Sequence, residues 1–456
     1  MARATTKKTT QAGSKKAAAK TAANWTLMVY LAGDNNLDGA GVTDLMEMKK
    51  VGSGAGINVV AQFDRAGGRG STKRYVLRKG TTLQADAVAD LGETDTGNPA
   101  VLKDFLTWGI KTYPAQHYLA VIWNHGAGWD DSNLYAAGGD YFSGDAPPVV
   151  HKGYVIDARG GVATRGGRAR KGKPVPLAQA RAAARHGHRA LFRTSVQKMA
   201  QSRAIAFDDQ AKDYIDNAEL KRVMLDIKKL LGRKIDILGF DACLMSMLEV
   251  GYQVKGAAAY TVGSQEEEPN NGWPYDRILT VLAKNPAMAP ADLAKAAVTQ
   301  YLASYGANSG VTFAATDLGK IDPVAAAVNA LGAALVKAMA DNKAFTAIQS
   351  VRAGVQEYSA PYDDYVDLVD LCDGLAKLVG GDAGRAAAAV KAATAPMVLQ
   401  SGWKGANMAH SNGASIYFPK KKVCSLYATI DFARKNGAWA KFIAAYTAKL
   451  GGRVWG

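Results

Sequence analysis

The sequence predicts an α/β fold, a three-layer sandwich whose mostly parallel central sheet is covered by helices on both faces. Three observations predict it. Short, almost wholly apolar runs at residues 25–31 (WTLMVYL), 118–123 (YLAVIW) and 235–240 (IDILGF) read as strands buried on both faces. Segments of helical character separate them, an alternation that specifies parallel pairing through crossover connections. The chain of 456 residues is long enough for one large domain with additions, or for two domains.

The first run stops at Ala32, Gly33, Asp34 and Asn35, and residues 37–48, with Asp38 near their start, read as a helix. Residues 57–63 (INVVAQF) and the shorter 74–77 are further strands, and 99–110 form a helix leading into the strand 118–123. A helix over 217–231, the strand 235–240 and a helix over 241–252 come next, followed by an extended 260–263 and a helix over 279–284. Past Met288 the composition turns Ala-rich, with helices expected over 290–304 and 323–339, a strand at 311–315 between them and a last strand at 415–418. The expected organisation is a basic tail over 1–24, a core over 25–290 carrying a basic insert at 140–203, and a helix-rich region over 291–456 that completes the core or packs on it.

Hydrophobic residues make up 48% of the chain and charged residues 21%, the balance of a soluble globular protein. The net charge of +16 departs from that balance, and its placement decides its meaning. Six Lys/Arg and no acid fall in the first 24 residues, and thirteen Lys/Arg against one Asp fall in 151–203. The remaining body carries a net charge of −2, so the basic character belongs to two segments.

The tail of Lys, Ala and Thr buries too little apolar surface to offset the entropy of ordering it, and is expected to be disordered. It lacks the apolar stretch of roughly 7–15 residues that marks a secretory signal. No run reaches the roughly 18 uninterrupted apolar residues of a membrane span. A cytoplasmic location with no membrane partner is expected, and secretion by another route or from another start site stays open.

Cys243, Cys372 and Cys424 are odd in number and irregular in spacing, which speaks against a disulfide framework or a zinc site. The six histidines, His117, His125, His151, His186, His188 and His410, show no zinc-type grouping with them.

Two strand ends can carry chemistry, because sheets of this class bind ligands beyond the carboxyl ends of their parallel strands. One is VIWNHGAGW, where a strand runs into Asn124, His125, Gly126, Ala127 and Gly128; the other is LGFDACLMSMLEV, where a strand runs into Asp241, Ala242 and Cys243. A thiol needs help to ionise near neutrality, and the start of the helix expected over 241–252 would give Cys243 backbone N–H groups and a positive dipole end. His125 belongs to the residue type that trades protons near pH 7. Gly126 lets its N–H approach a substrate, so that with the N–H of Cys243 it can hold an oxyanion. Each residue also has a plainer reading, Cys243 as a small buried hydrophobe and His125 as a turn or capping residue.

With these motifs the chain resembles the clostripain-like cysteine peptidases of the caspase and gingipain clan, in which an apolar run precedes His-Gly and a second precedes Asp-Ala-Cys. The segments WTLMVYLAGDNNLD, SQEEEPNNGWPYDRIL and GASIYFP add to the likeness, which extends over residues 25–419. The resemblance implies a caspase-like sandwich, a catalytic dyad of His125 and Cys243, and cleavage of peptides or proteins after Arg or Lys. Asp241, two positions before Cys243, makes that preference physically reasonable, since a carboxylate at the base of a pocket can pair with an incoming cationic side chain; the alternative is that Asp241 only caps the following helix. Glu266, Glu267 and Glu268, followed by Trp273, could line the same cleft or form a solvated loop. No cofactor is required. Calcium accompanies some relatives, but no EF-hand loop is present and single acids such as Asp34, Asp208 and Asp209 do not define a site.

Relatives are commonly made as precursors and cut at a basic residue between the His and Cys motifs. The insert offers Arg168, Arg170, Lys171, Lys173, Arg185, Arg189, Arg193 and Lys198 for such self-cleavage, and its charge could hold it over an acidic cleft. The competing reading is a nucleic-acid-binding protein that uses the tail and insert on phosphates, or an inactive homologue that only binds. Nucleic-acid binding explains the two basic segments and leaves both strand-end motifs without a role.

Overall fold

The computed structural model describes residues 22–35, 37–54, 56–66, 71–129, 149–151, 154–156, 162–164, 205–208, 213–359 and 364–451, with backbone alone for the short strands between 149 and 213. The strands of the first half are β1 (Ala23–Gly33), β2 (Ile57–Arg65), β3 (Lys73–Val76), β4 (Ala87–Asp90) and β5 (Ala115–Trp123). There follow β6 (Val149–His151), β7 (Tyr154–Ile156), β8 (Val162–Thr164), β9 (Ile205–Asp208) and β10 (Asp213–Ile215). The second half contributes β11 (Ile235–Asp241), β12 (Ala258–Gly263), β13 (Val311–Asp317), β14 (Glu357–Tyr358), β15 (Tyr365–Asp367), β16 (Val398–Lys404) and β17 (Ser415–Tyr417).

Nine strands form one sheet in the order β16-β13-β12-β11-β5-β1-β2-β3-β4. Its five central strands are parallel, and antiparallel strands finish both edges. β1 shows how the sequence dictates the layers. Leu27, Val29 and Leu31 enter a core with the helices Asp38–Val51, Tyr275–Lys284 and Pro290–Ser304. Met28, Tyr30 and Ala32 enter a larger core on the other face with the helices Pro99–Thr112, Asn217–Leu231 and Ile321–Ala338. A strand covered on both faces has no polar side to show, hence its continuous apolar run.

Local signals set the bounds of the helix Asn217–Leu231. Asp216 and Glu219 form a reciprocal capping box, Leu220, Val223, Met224 and Ile227 share a buried face, and Gly232 ends the helix in the left-handed conformation. The stretch Leu318–Ala338 is long and apolar enough to cross a membrane. It is nevertheless a core helix, its Val324, Val328, Leu331 and Leu335 buried where the helices Gly381–Thr394 and Gly437–Lys449 pack on it.

The change of composition near residue 290 does not divide the sheet, because β13 and β16 beyond it form one edge. The C-terminal region adds a small antiparallel sheet, β14-β15-β17. β1 starts inside the expected tail, and residues 1–21 lie outside the described residues. Inside the basic insert, β6, β7 and β8 pair as an antiparallel sheet. All eight candidate processing residues, Arg168, Arg170, Lys171, Lys173, Arg185, Arg189, Arg193 and Lys198, lie outside the described residues.

Candidate active site

The five parallel strands all end on one edge of the sheet. From β1 the chain moves to β2 on one side and later to β5 on the other, which makes the β1/β5 boundary the crevice where such sheets bind ligands. Trp123 of β5 is the register partner of Asp241 of β11. His125 and Cys243 therefore each stand two residues past paired positions on adjacent strands, whose spacing is about 5 Å. The Asn124 N–H donates to the Asp241 carbonyl at 3.3 Å and carries the pairing one step beyond the sheet. Gly126 rests on the cysteine loop: a Cβ there would strike the Cys243 carbonyl oxygen and sit 2.9 Å from the Ala242 Cβ. Only glycine permits that approach.

The histidine loop is tied down on all sides. The Asn124 side chain is buried; its Nδ2 donates to the Ala32 carbonyl at 2.6 Å, and its Oδ1 accepts from the His125 N–H and from Asn35 Nδ2 at 3.4 Å. The Tyr365 hydroxyl donates to the Ala127 carbonyl at 2.7 Å, and Asn217 Nδ2 to the Gly128 carbonyl at 3.1 Å. Trp129 closes the loop, its ring edge-on to Tyr417 at 4.9 Å and to Tyr427 at 4.8 Å. His125 is left half-buried at the mouth of this assembly.

Cys243 does not open a helix, so the expected helix over 241–252 and its dipole at the thiol are corrected here. The first helical residue is Leu248, in a helix that runs to Val254. Leu244 has a φ of 65°, a left-handed conformation from which a right-handed helix cannot propagate. The loop bonds outward instead: Leu244 N–H to the Glu266 carbonyl at 3.4 Å, Ser246 N–H to the Ser264 carbonyl at 2.8 Å, and Ser415 N–H to the Ser246 carbonyl at 3.1 Å. The Glu268 N–H reaches the buried sulfur, 3.2 Å from Cys243 Sγ. Such a donor stabilises a thiolate more than a thiol, the part the helix terminus was expected to play.

Carboxylates gather on the sheet face beneath the pair. Asp241 is fully buried, and its Oδ2 accepts from the Tyr275 hydroxyl at 2.8 Å and the Trp273 N–H at 3.5 Å. It caps no helix; the residue before Leu248 is Met247, which makes no side-chain cap. Asp44 Oδ2 accepts from Trp123 Nε1 at 2.6 Å, and burial, then the neighbouring Asp276, with Asp241 adding to both, hold Glu47 above the usual carboxylate range. Glu266, Glu267 and Glu268 are buried as well, which removes the solvated-loop reading. Glu266 Oε1 accepts from the Ser359 N–H at 3.0 Å and Glu267 Oε1 from the Ser359 hydroxyl at 2.9 Å.

The sequence profile of the Clostripain family, peptidase C11, matches residues 29–141 and 184–446. The chain belongs to the clostripain family. Clostripain of Hathewaya histolytica is 29% identical over 143 residues, which are 24% of this chain and 27% of that relative's length. A secreted C11 cysteine protease from Bacteroides thetaiotaomicron, solved with an irreversible peptide inhibitor, superposes with a TM-score of 0.58 at 18% identity, covering 91% of this chain and 99% of that one. An inactive zymogen C11 protease from Parabacteroides distasonis gives 0.56 at 17% identity over the same shares. These likenesses establish the shared fold, the caspase-like sandwich expected from the sequence.

Within this clostripain-family fold, His125, Gly126 and Cys243 meet at adjoining strand ends and Asp241 lies beneath them. Sequence reasoning missed the Asn35–Asn124 knot, Asp44, Glu47 and the Glu268 N–H. Asp44 and Glu47 sit on the helix Asp38–Val51, and no local pattern marks them or the others. Beside β1 and β2, Asp34, Asp64 and Glu93 bring carboxylate oxygens within 4.8 Å of one another, an oxygen donor set that suits a hard cation such as calcium. Asp64 already accepts from the Thr72 hydroxyl at 2.7 Å and the Thr96 hydroxyl at 3.4 Å.

Proposed function

We propose that the chain is a cysteine endopeptidase with Cys243 as nucleophile and His125 as its acid–base partner, cleaving after Arg or Lys. The observation that carries this reading is the register of β5 on β11, which sets the two residues at matching positions beyond adjacent strands. The Cys243 sulfur attacks the scissile carbonyl carbon, and the displaced π electrons collect on an oxygen held by the N–H groups of Gly126 and Cys243. Collapse breaks the C–N bond, and His125, carrying the proton taken from the Cys243 thiol, protonates the departing amine. A water deprotonated by His125 then hydrolyses the thioester. No step uses a metal.

The preference for a cation is supported by the buried Asp241 carboxylate two residues before the nucleophile, with the buried run Glu266 to Glu268 on the next strand end. Charge buried at a cleft favours a substrate of opposite sign. Self-cleavage in the insert is supported by its basic residues and by the solved relative described as an inactive zymogen. The relative described as secreted favours export over the cytoplasmic location expected from the tail.

Hydrolysis of Arg, Lys and neutral peptide amides by the wild type, Cys243→Ala and His125→Ala tests the reading. Cleavage after Arg or Lys should exceed that after neutral residues by about 10²-fold, and either variant should lose about 10³-fold or more in kcat. Activity that survives Cys243→Ala removes the nucleophile, and equal rates on neutral amides remove the specificity. A chain that stays intact in the wild type as in Cys243→Ala removes self-cleavage.

A further inference from the structure

We propose that Gln265 and Asp367, two residues that touch no reacting group, form a clamp that positions Cys243; the inference rests on the peptidase reading above. The loop after β12 is the partner against which the cysteine loop takes its shape. Ser264 and Glu266 offer the carbonyls that accept from Ser246 and Leu244, and the Glu268 N–H reaches the sulfur. Leu244 keeps its left-handed φ of 65° only while such neighbours overdetermine it. Where the 264–268 loop sits therefore decides where the sulfur sits.

That loop is anchored through the buried side chain of Gln265. Its Nε2 donates to Asp367 Oδ2 at 3.0 Å, its Oε1 accepts from the Gly413 N–H at 2.7 Å, and its own N–H donates to the Thr312 hydroxyl at 3.0 Å. Asp367 is fully buried and accepts six hydrogen bonds. Oδ1 takes the N–H groups of Val369 and Asp370, both at 2.9 Å, and Asn412 Nδ2 at 3.0 Å. Oδ2 takes Gln265 Nε2, the Tyr358 hydroxyl at 3.1 Å and the Asn412 N–H at 2.6 Å. The ring closes on the cysteine loop itself, because the Gly413 carbonyl accepts from the Ser246 hydroxyl at 2.8 Å. Capping the helix Leu368–Leu378 uses Oδ1 alone; the bond from Oδ2 to Gln265 ties the cap to the nucleophile.

The test compares Gln265→Met, Gln265→Glu, Asp367→Asn and the double swap Gln265→Glu with Asp367→Asn, using Tyr358→Phe as a variant that loses one donor to Asp367 and keeps the clamp. The readouts are kcat and KM on Arg and Lys peptides, the pH profile of Cys243 alkylation by iodoacetamide, and the melting temperature. Gln265→Met and Asp367→Asn should lower kcat by about 10- to 100-fold with little change in KM, the scale of a misplaced reacting group. Their alkylation midpoint should move to higher pH as the Glu268 N–H leaves the sulfur. Gln265→Glu, which faces Asp367 with a second carboxylate, should be the most damaged, and the double swap should recover about tenfold over it.

Lower melting temperatures with wild-type kcat and an unmoved alkylation profile would overturn the clamp, as would a double swap no better than Gln265→Glu. The alkylation readout needs no substrate. A wild type that cuts no peptide, but whose variants still shift the profile, sinks the peptidase reading and leaves the clamp standing.

Discussion

The two loops that meet at the sheet edge are held by different combinations of packing and hydrogen bonds. The histidine loop is knotted to β1 through Asn124 and Asn35 and weighted by Trp129 between two tyrosines. The cysteine loop is packed too, with Leu244, Met245 and Met247 buried in the larger core, but it carries the left-handed Leu244 and bonds to the 264–268 loop and the segment before β17. An aromatic clasp at Trp129 backs the hydrogen bonds of the loop that carries His125, whereas hydrogen bonds to distant loops back the packing around Cys243 and hold the left-handed turn beside it. Packing resists small losses one methylene at a time, but a polar frame fails when a single buried partner is left unmatched. The loops should therefore respond differently to substitution.

The largest effect on stability is expected from Trp129→Ala. Trp129 is buried against Tyr417 and Tyr427, and removing a buried aromatic of this size costs about 3–5 kcal/mol. Denaturant unfolding should show that loss, with the surviving folded fraction retaining a reactive Cys243. A loss below about 1 kcal/mol, the scale of a surface substitution, would show that the histidine loop is not held by packing.

That difference also explains what could be read from the chain. β1, β5 and β11 announce themselves as apolar runs, and the helix Asn217–Leu231 carries its own start in Asp216 and Glu219 and its own stop in Gly232. His125 and Cys243 stand out as candidates because such sheets bind ligands beyond the carboxyl ends of their strands. The shape of the cysteine loop was hidden, since the groups that hold Leu244 and Ser246 come from Glu266, Ser264 and Ser415 and lie in no shared window of sequence. A run of DACLMSMLEV judged alone reads as helix; tertiary bonds override that preference. Asp241 could be nominated and Trp273 set near the same cleft, but not the bonds that the Trp273 N–H and the Tyr275 hydroxyl make to that carboxylate from more than thirty residues on.

Glu249 links the two loops and gives the next effect. It sits on the helix that follows Cys243, and its Oε1 accepts from the Tyr417 N–H at 3.1 Å and the Tyr427 hydroxyl at 2.9 Å, the tyrosines that hold Trp129. Burial raises its pKa from an ordinary 4.5 to about 7, against the opposing pull of those hydrogen bonds. Between those values the folded state binds more protons than the unfolded one, so this group lowers stability as pH climbs from about 4.5 to about 7, and the loss persists above. The full span is on the order of 3 kcal/mol. Chemical denaturation of Glu249→Gln across that range should lack this component of the slope. An unchanged slope would mean that Glu249 titrates as it does in the unfolded chain.

Leu244→Gly carries the smallest expected effect and divides the loops most finely. Glycine adopts a φ of 65° freely, and relief of the left-handed conformation contributes about 1–2 kcal/mol. Against it stand the buried leucine side chain, whose loss costs about 1.5–3 kcal/mol, and the added freedom of glycine in the unfolded chain, about 0.5–1 kcal/mol. The balance is a net destabilisation of about 1.5 kcal/mol, less than for Trp129→Ala, because relief of the left-handed conformation offsets part of the packing lost. Activity should fall further than stability, since a loop freed of its constrained residue no longer holds Sγ against the Glu268 N–H. A variant as active as the wild type would show that the bonds to Glu266 and Ser264 suffice by themselves, and that the left-handed residue is a consequence of the frame rather than part of it.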